Sequence, residues 1–241
     1  CWFALKDDCA EVLYNIFHIS WYWIVLIAVL GTAYYLLQGI VLYRIAKPYK
    51  TDIRIWDGIH NAYIAAFFNG VTRWAVGQVA QTYAFRKLDM QYSDIASVLW
   101  KDFFLYQSTV LFYVSILLLT RFSYAMEHFQ IYFFLVLLGF AINASVILIL
   151  WTMARFPKLY VKISRGIVNV GFRFHIVKNK AYTLEKWQGQ ILYFNEEIKK
   201  LKEDRRMIVE AVLLNFLRMT IFYAIPYVAA LALQVPCPFL I

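Results

Sequence analysis

The stretch ISWYWIVLIAVLGTAYYLLQGIVLY, residues 19–43, runs for 25 residues without one charge. A bilayer's hydrocarbon core is about 30 Å thick and about 20 helical residues cross it, so this stretch predicts a spanning helix. A cleaved leader fits poorly, because the apolar core is too long and no A-x-A-like site follows it. Three further uncharged runs lie downstream: 103–120 with 18 residues, 129–154 with 26 and 219–241 with 23. Each predicts a further span, the last placed at about 211–235.

Composition points the same way. Of 241 residues 62% are hydrophobic, 19% aromatic and 16% charged, which leaves too little polar surface for a water-soluble domain. Nine Gly and five Pro are too few for collagen-like or low-complexity classes. Cys1, Cys9 and Cys237 have no C-x-x-C spacing, and His18, His60, His128 and His175 each stand alone, so neither a metal nor a cofactor is expected. The chain begins with Cys1 and stops inside an apolar stretch. It therefore reads as a fragment of something longer, a single membrane domain over 1–241.

Between the first and second spans the apolar pattern is broken. Residues 58–72 are uncharged but hold His60, Asn61 and Asn69; Arg73 follows, and 74–85 give twelve more uncharged residues with Gly77, Gln78 and Gln81. Two half-helices meeting near 69–73 would form a re-entrant hairpin over about 58–85, its irregular backbone buried in protein or lining a cavity. The alternative is one continuous helix over 59–85. The positive-inside rule separates the two. Arg44, Lys47, Lys50 and Arg54 precede the segment, and Arg86, Lys87 and Lys101 follow it. Both flanks are basic and both belong inside, which favours the hairpin. With the loop 155–206, twenty of the 24 basic residues then lie on the cytoplasmic side.

The insert 155–206 keeps helical order. Leu159, Ile163, Ile167, Val170, Phe174 and Val177 recur every three or four residues between basic side chains. Trp187, Ile191, Phe194, Ile198 and Leu201 form a second stripe, with Glu196 and Lys200 at i,i+4. Basic amphipathic helices on an anionic leaflet and two helices packed together beneath the membrane are equal readings. The net charge of +9 is an orientation signal, so no nucleic-acid partner is called for.

No P-loop, nucleophile elbow or H-E-x-x-H occurs, and Asp7–Asp8 without a placed partner is an ordinary acidic loop. No catalytic residue is assigned. Polar groups inside apolar segments are the better lead, since each is costly in hydrocarbon unless it meets a partner or a wet path. They are Asn69, Arg73, Gln78, Gln81, Arg86, Lys101, Asp102 and Gln107, with Asn143, Glu210, Asn215 and Arg218 on later helices. Lys101 and Asp102 point about 100° apart on a helix, so Asp102 needs a partner from elsewhere, Arg73 or Arg218. Asn143 and Asn215 read as interhelical hydrogen-bonding groups. Gly70 and Gly77 would allow close backbone approach. Trp21, Trp23 and Trp151 at segment ends read as interface anchors.

Three segments taken together carry a resemblance: Phe68-Asn-Gly-Val-Thr72, Gly77-Gln-Val-Ala-Gln-Thr-Tyr-Ala-Phe-Arg-Lys-Leu-Asp-Met90 and Ser93-Asp-Ile-Ala-Ser-Val-Leu-Trp-Lys-Asp-Phe-Phe-Leu-Tyr-Gln107. Their order resembles the membrane domain of the lysylphosphatidylglycerol synthase, or flippase-like, family, over nearly the whole chain. Where that family usually has a Pro-bearing turn and a Gly-Gly pair, this sequence has Thr72-Arg73 and Val76-Gly77. The resemblance implies a multi-pass protein of the bacterial inner membrane that moves or hosts aminoacylated phosphatidylglycerol, a cationic lipid linked to resistance against cationic peptides. It also implies a further spanning helix before this chain and a Pro/Gly-rich element after it.

The expected fold is all-α: a polytopic helical membrane bundle with a re-entrant hairpin and a cytoplasmic amphipathic insert. The expected function is to translocate or bind phosphatidylglycerol or its aminoacylated form. The headgroup would meet Asn69, Arg73, Gly77, Gln78, Gln81, Arg86, Asp102, Gln107 and Arg218, basic groups taking the phosphate and Asp102 the ammonium. Partners are the membrane and a phospholipid, with homo-oligomerisation open. Two alternatives stand beside this: the membrane portion of a phosphatidylglycerol lysyltransferase, although no aminoacyltransferase domain is present, and a non-transporting scaffold.

Overall fold

The structure, a computed structural model of the chain, describes residues 19–72, 76–128, 130–156, 163 and 180–234. Among these the secondary structure is helical and no strand occurs. Seven helices follow one another among the described residues: α1 (Trp21–Ala46), α2 (Ile55–Val71), α3 (Val76–Arg86), α4 (Tyr92–His128), α5 (Gln130–Arg155), α6 (Lys180–Glu203) and α7 (Arg205–Ala232). Four carry a segment long and apolar enough to cross a membrane, namely Trp21–Ala46, Tyr92–Thr120, Phe133–Thr152 and Arg205–Ala232. Each overlaps one of the four runs expected from the sequence. The protein is a multi-pass helical membrane protein.

Two compact units divide the chain, with boundaries at Tyr92/Ser93 and Val212/Leu213. The first holds α1, α2, α3 and the later part of α7; the second holds α4, α5, α6 and the first turns of α7.

In the first unit, α1 is exposed over its early turns, where Trp21, Tyr22 and Val29 face outward, and buried over its last two, at Val41, Leu42, Ile45 and Ala46. That buried end packs on α2 with unusual closeness. A Cβ on Gly58 would collide with the Gly39 carbonyl oxygen and stand 2.9 Å from the Tyr43 amide; one on Gly39 would strike the Ile59 Cα and lie 2.7 Å from its amide. Only glycine lets the two backbones meet this way. The turn between them is closed by Lys47, whose Nζ donates to the Thr51 and Ile53 carbonyls at 2.7 and 3.2 Å. Arg54 N then donates to Asp57 Oδ2 at 2.8 Å, so an acidic first-turn side chain starts α2.

In the second unit α4 and α6 are joined by side chains far apart in sequence. Lys101 Nζ lies 2.9 Å from Glu197 Oε2, with only 5% and 3% of the two side chains exposed. Four residues earlier on each helix, Ser97 bonds the Tyr193 hydroxyl, which also donates to the Ser93 carbonyl at 2.8 Å. Glu197 further accepts from Lys200 at 2.7 Å. This corrects the expected Glu196–Lys200 pair: Glu197 is the carboxylate on the buried face, and Lys200 reaches back i,i+3 to it. Ile198 and Leu201 of the second stripe are buried. The first stripe, 159–177, lies outside the described residues except for Ile163, which is exposed.

Candidate functional site

The break expected near residues 69–73 is present. Thr72 leaves the helical region with φ −105 and ψ 146, and its backbone N–H donates to the Phe68 carbonyl. Its hydroxyl bonds that same carbonyl. A β-branched residue is at ease in such extended backbone, so α2 stops without a proline. Arg73 lies outside the described residues. After it α3 runs back along α2, and there is no continuous helix over 59–85. Two hydrogen bonds fix the register: Asn69 Oδ1 accepts from the Gly77 amide at 3.0 Å beside the break, and Asn61 Nδ2 donates to the Gln81 carbonyl at 3.0 Å further along. A Cβ on Gly77 would lie 2.6 Å from Asn69 Cγ, so glycine is what lets the Asn69 amide cap α3. Gly70, by contrast, has nothing within 4 Å of its Cβ direction, and no close approach occurs there.

Between the two helices lies a groove of about 660 Å³. At one end stand Asp57 and His60 from α2 and Lys87 just beyond α3; at the other, beside the break, are Phe68 and Val76. Val79 and Tyr83 wall its length, and the Lys87 ammonium sits 5.0 Å over the Tyr83 ring. Asn61 faces the groove midway with 1% of its surface exposed, and its Oδ1 has no hydrogen-bond partner among the described residues. The Gln81 Nε2, also buried, is likewise unsatisfied there. An unbonded acceptor in an apolar channel with charges of both signs at one end suits an amphiphile that brings a donor of its own.

The polar residues singled out in the sequence are not one cluster. Asn69 and Gly77 are bonded to each other, Gln81 is bonded through its carbonyl to Asn61 further along the hairpin, and Gln78 is exposed on α3. Arg86 closes the turn after α3, donating from Nη1 to the Met90 carbonyl at 3.0 Å with its guanidinium 5.1 Å from the Tyr92 ring centre. Asp102 is half-buried on α4. Gln107 accepts from Asn143 Nδ2 across α4 and α5 at 3.4 Å, the interhelical bond expected of Asn143. Asn215, fully buried on α7, has no such partner among the described residues, so the same expectation fails for it. Arg218 is buried with its guanidinium 5.1 Å over the Tyr34 ring of α1.

None of those residues lines the groove. Of the polar residues that do, Lys87 reads in the sequence as a basic flank and His60 as a lone histidine within the first half-helix, while Asp57 is not singled out there. The signal available for them was helical phase. His60 and Phe68 are eight residues apart on α2, while Val76, Val79, Tyr83 and Lys87 recur at three and four on α3.

Against known families, the model described as lysylphosphatidylglycerol synthase TM region matches residues 1–241. No curated protein and no solved structure matches the chain.

Proposed function

The chain belongs to the lysylphosphatidylglycerol synthase transmembrane-region family, and from that premise we propose that it binds phosphatidylglycerol or its aminoacylated form in the α2–α3 groove and translocates it. One observation carries this reading: the groove is charged at one end, apolar at the other and holds an unsatisfied buried acceptor between. An acyl chain would lie along Val79 and Tyr83 toward Phe68, the phosphate near Lys87 with Arg86 beside it, and an ammonium near Asp57. A headgroup hydroxyl or ammonium would supply the proton that Asn61 Oδ1 lacks. Gln78, exposed on α3, would act further along the lipid's path, and Asn69 and Gly77 hold the groove's far end closed.

Neither hairpin helix is a comfortable span by length. At about 1.5 Å per residue, the 17 residues of α2 reach about 26 Å and the 11 of α3 about 17 Å, short of the roughly 30 Å core. They would enter and leave on the cytoplasmic face of a bacterial inner membrane, with the basic loop 155–206 on that same side. The test is leaflet-resolved lipid analysis in cells carrying Asp57→Asn, Asn61→Leu or Lys87→Gln. Outer-leaflet aminoacyl lipid should fall several-fold at normal protein level. Wild-type exposure in all three would remove the groove from the mechanism.

The family's description names a synthase, which favours a second reading, the membrane portion of a phosphatidylglycerol lysyltransferase. Lysyl-lipid formation that is lost when this segment alone is deleted from its gene would support it. Unchanged formation would exclude it.

A further inference from the structure

A second cavity lies wholly in the other unit, about 140 Å³ in volume. Its wall is carbon, with Leu105 from α4, Leu150 from α5, Leu201 from α6 and Ile208 from α7. Two cations stand at it, Arg155 at the end of α5 and Lys202 in the last turn of α6. Both are exposed, and among the described residues neither has a carboxylate within ion-pairing distance. A cation at a helix C-terminus is by itself explained by the macrodipole. That account covers each residue singly and leaves unexplained why two from different helices converge on one oily opening.

The cavity's position narrows what could fill it. Arg155 directly follows the uncharged run 129–154, Lys101 closely precedes the run 103–120, and Arg205 opens α7. Two of the helix ends at the cavity, that of α5 at Arg155 and that of α7 at Arg205, are therefore ends of spans, at a bilayer boundary, where carbon-lined space is reached by lipid. At about 140 Å³ the cavity is well below the roughly 300–1,000 Å³ of a drug-sized site, so it takes a length of one chain and not a whole molecule. The charge is one-sided as well. Glu197, one turn away, is already bonded by Lys101 at 2.9 Å and Lys200 at 2.7 Å, so it offers little to a headgroup ammonium.

We propose that this cavity is a seat for an anionic phospholipid, distinct from the groove in the first unit: the upper part of one acyl chain fills it and the lipid phosphate lies between Arg155 and Lys202. Such a seat would tie the α4–α5–α6 packing to the anionic lipid content of the surrounding leaflet. It does not depend on what the α2–α3 groove carries.

Trp151 lines the cavity and reports on it. The full chain is placed in vesicles of phosphatidylcholine mixed with brominated phosphatidylglycerol or with brominated phosphatidylcholine. The Trp151 signal is the difference between wild type and Trp151→Phe. Brominated phosphatidylglycerol should quench that signal with about a tenfold higher apparent affinity, the size of one charge-assisted hydrogen bond. Arg155→Gln with Lys202→Gln should bring the two lipids to equality, Lys202→Arg should keep the preference, and Leu105→Trp should weaken quenching by both. Lys50→Gln, in the other unit, should change nothing. Equal quenching in the wild type, an unaltered preference in the double variant, or loss of the preference to excess inorganic phosphate would each overturn the proposal.

Discussion

Glu197 sits between two ammonium groups, one buried and one exposed, and the difference decides what each contact contributes. Lys200 is largely solvated, so its pairing is worth at most a few tenths of a kcal/mol. Its hydrogen bond to Glu197 raises its pKa above the ordinary 10.5. The sign follows: the stabilisation is complete below 10.5 and disappears as the pH climbs through the raised value. Lys200→Met should therefore lower the thermal midpoint of purified protein slightly below pH 10.5, and the two proteins should converge as the pH climbs through the raised value. Lys101 is the stronger case. Removing Glu197 leaves a buried ammonium with its main counter-charge gone, a loss of about 3–5 kcal/mol, whereas replacing both partners by apolar residues of like volume costs far less. Denaturation in detergent should thus show Glu197→Ala clearly worse than Lys101→Met with Glu197→Leu. If the double variant is as unstable as the single, the pair is not what holds α4 to α6.

At the level of helices, α1 and α2 cross with their backbones in close contact at Gly39 and Gly58. A methyl group on Gly58 would meet the Gly39 carbonyl and the Tyr43 backbone, which cannot swing aside as a side chain can. Gly58→Ala should cost about 1–3 kcal/mol through this overpacking. Gly70, in the same helix, has open space, so Gly70→Ala should be neutral or stabilising by up to about 1 kcal/mol. Thermal midpoints of the two variants side by side would check this, and equal shifts would refute it. The contrast also marks what the sequence could disclose. Uncharged runs of 18 to 26 residues are a local property, so four spans were legible, as was the break at Thr72, next to the charge that separates two half-lengths in the sequence. Which glycine touches a neighbour depends on where another helix lies, and Gly39 and Gly58 carry no local mark of it. The groove is hidden for the same reason: Asp57 and Lys87 look like flank residues until α3 folds back along α2. Lys101 and Glu197 are 96 residues apart, with the whole of α5 between them.

For the molecule as a whole, the question with most consequence is on which face of the membrane each end of the hairpin emerges. The two hydrogen bonds between α2 and α3 set Asn61 beside Gln81 and Asn69 beside Gly77, so Arg54 and Lys87 stand at the same end of an antiparallel pair. Geometry alone would also allow the pair to lie flat along the interface. The composition of the pair argues against that: Phe67, Phe68 and Val71 are exposed at the closed end, far from the basic flanks, where hydrocarbon and not water would cover them. Single cysteines at Arg54 and Lys87, in a background with Cys1, Cys9 and Cys237 replaced, should both react with a membrane-impermeant maleimide in inside-out vesicles and not in intact cells. A cysteine at Val71 should resist the reagent from either side. Reaction of 54 and 87 from opposite faces would mean that the short pair crosses the bilayer after all, and the Lys87 end of the groove, where the phosphate is proposed to lie, would then face the wrong leaflet for a lipid collected from the cytoplasm.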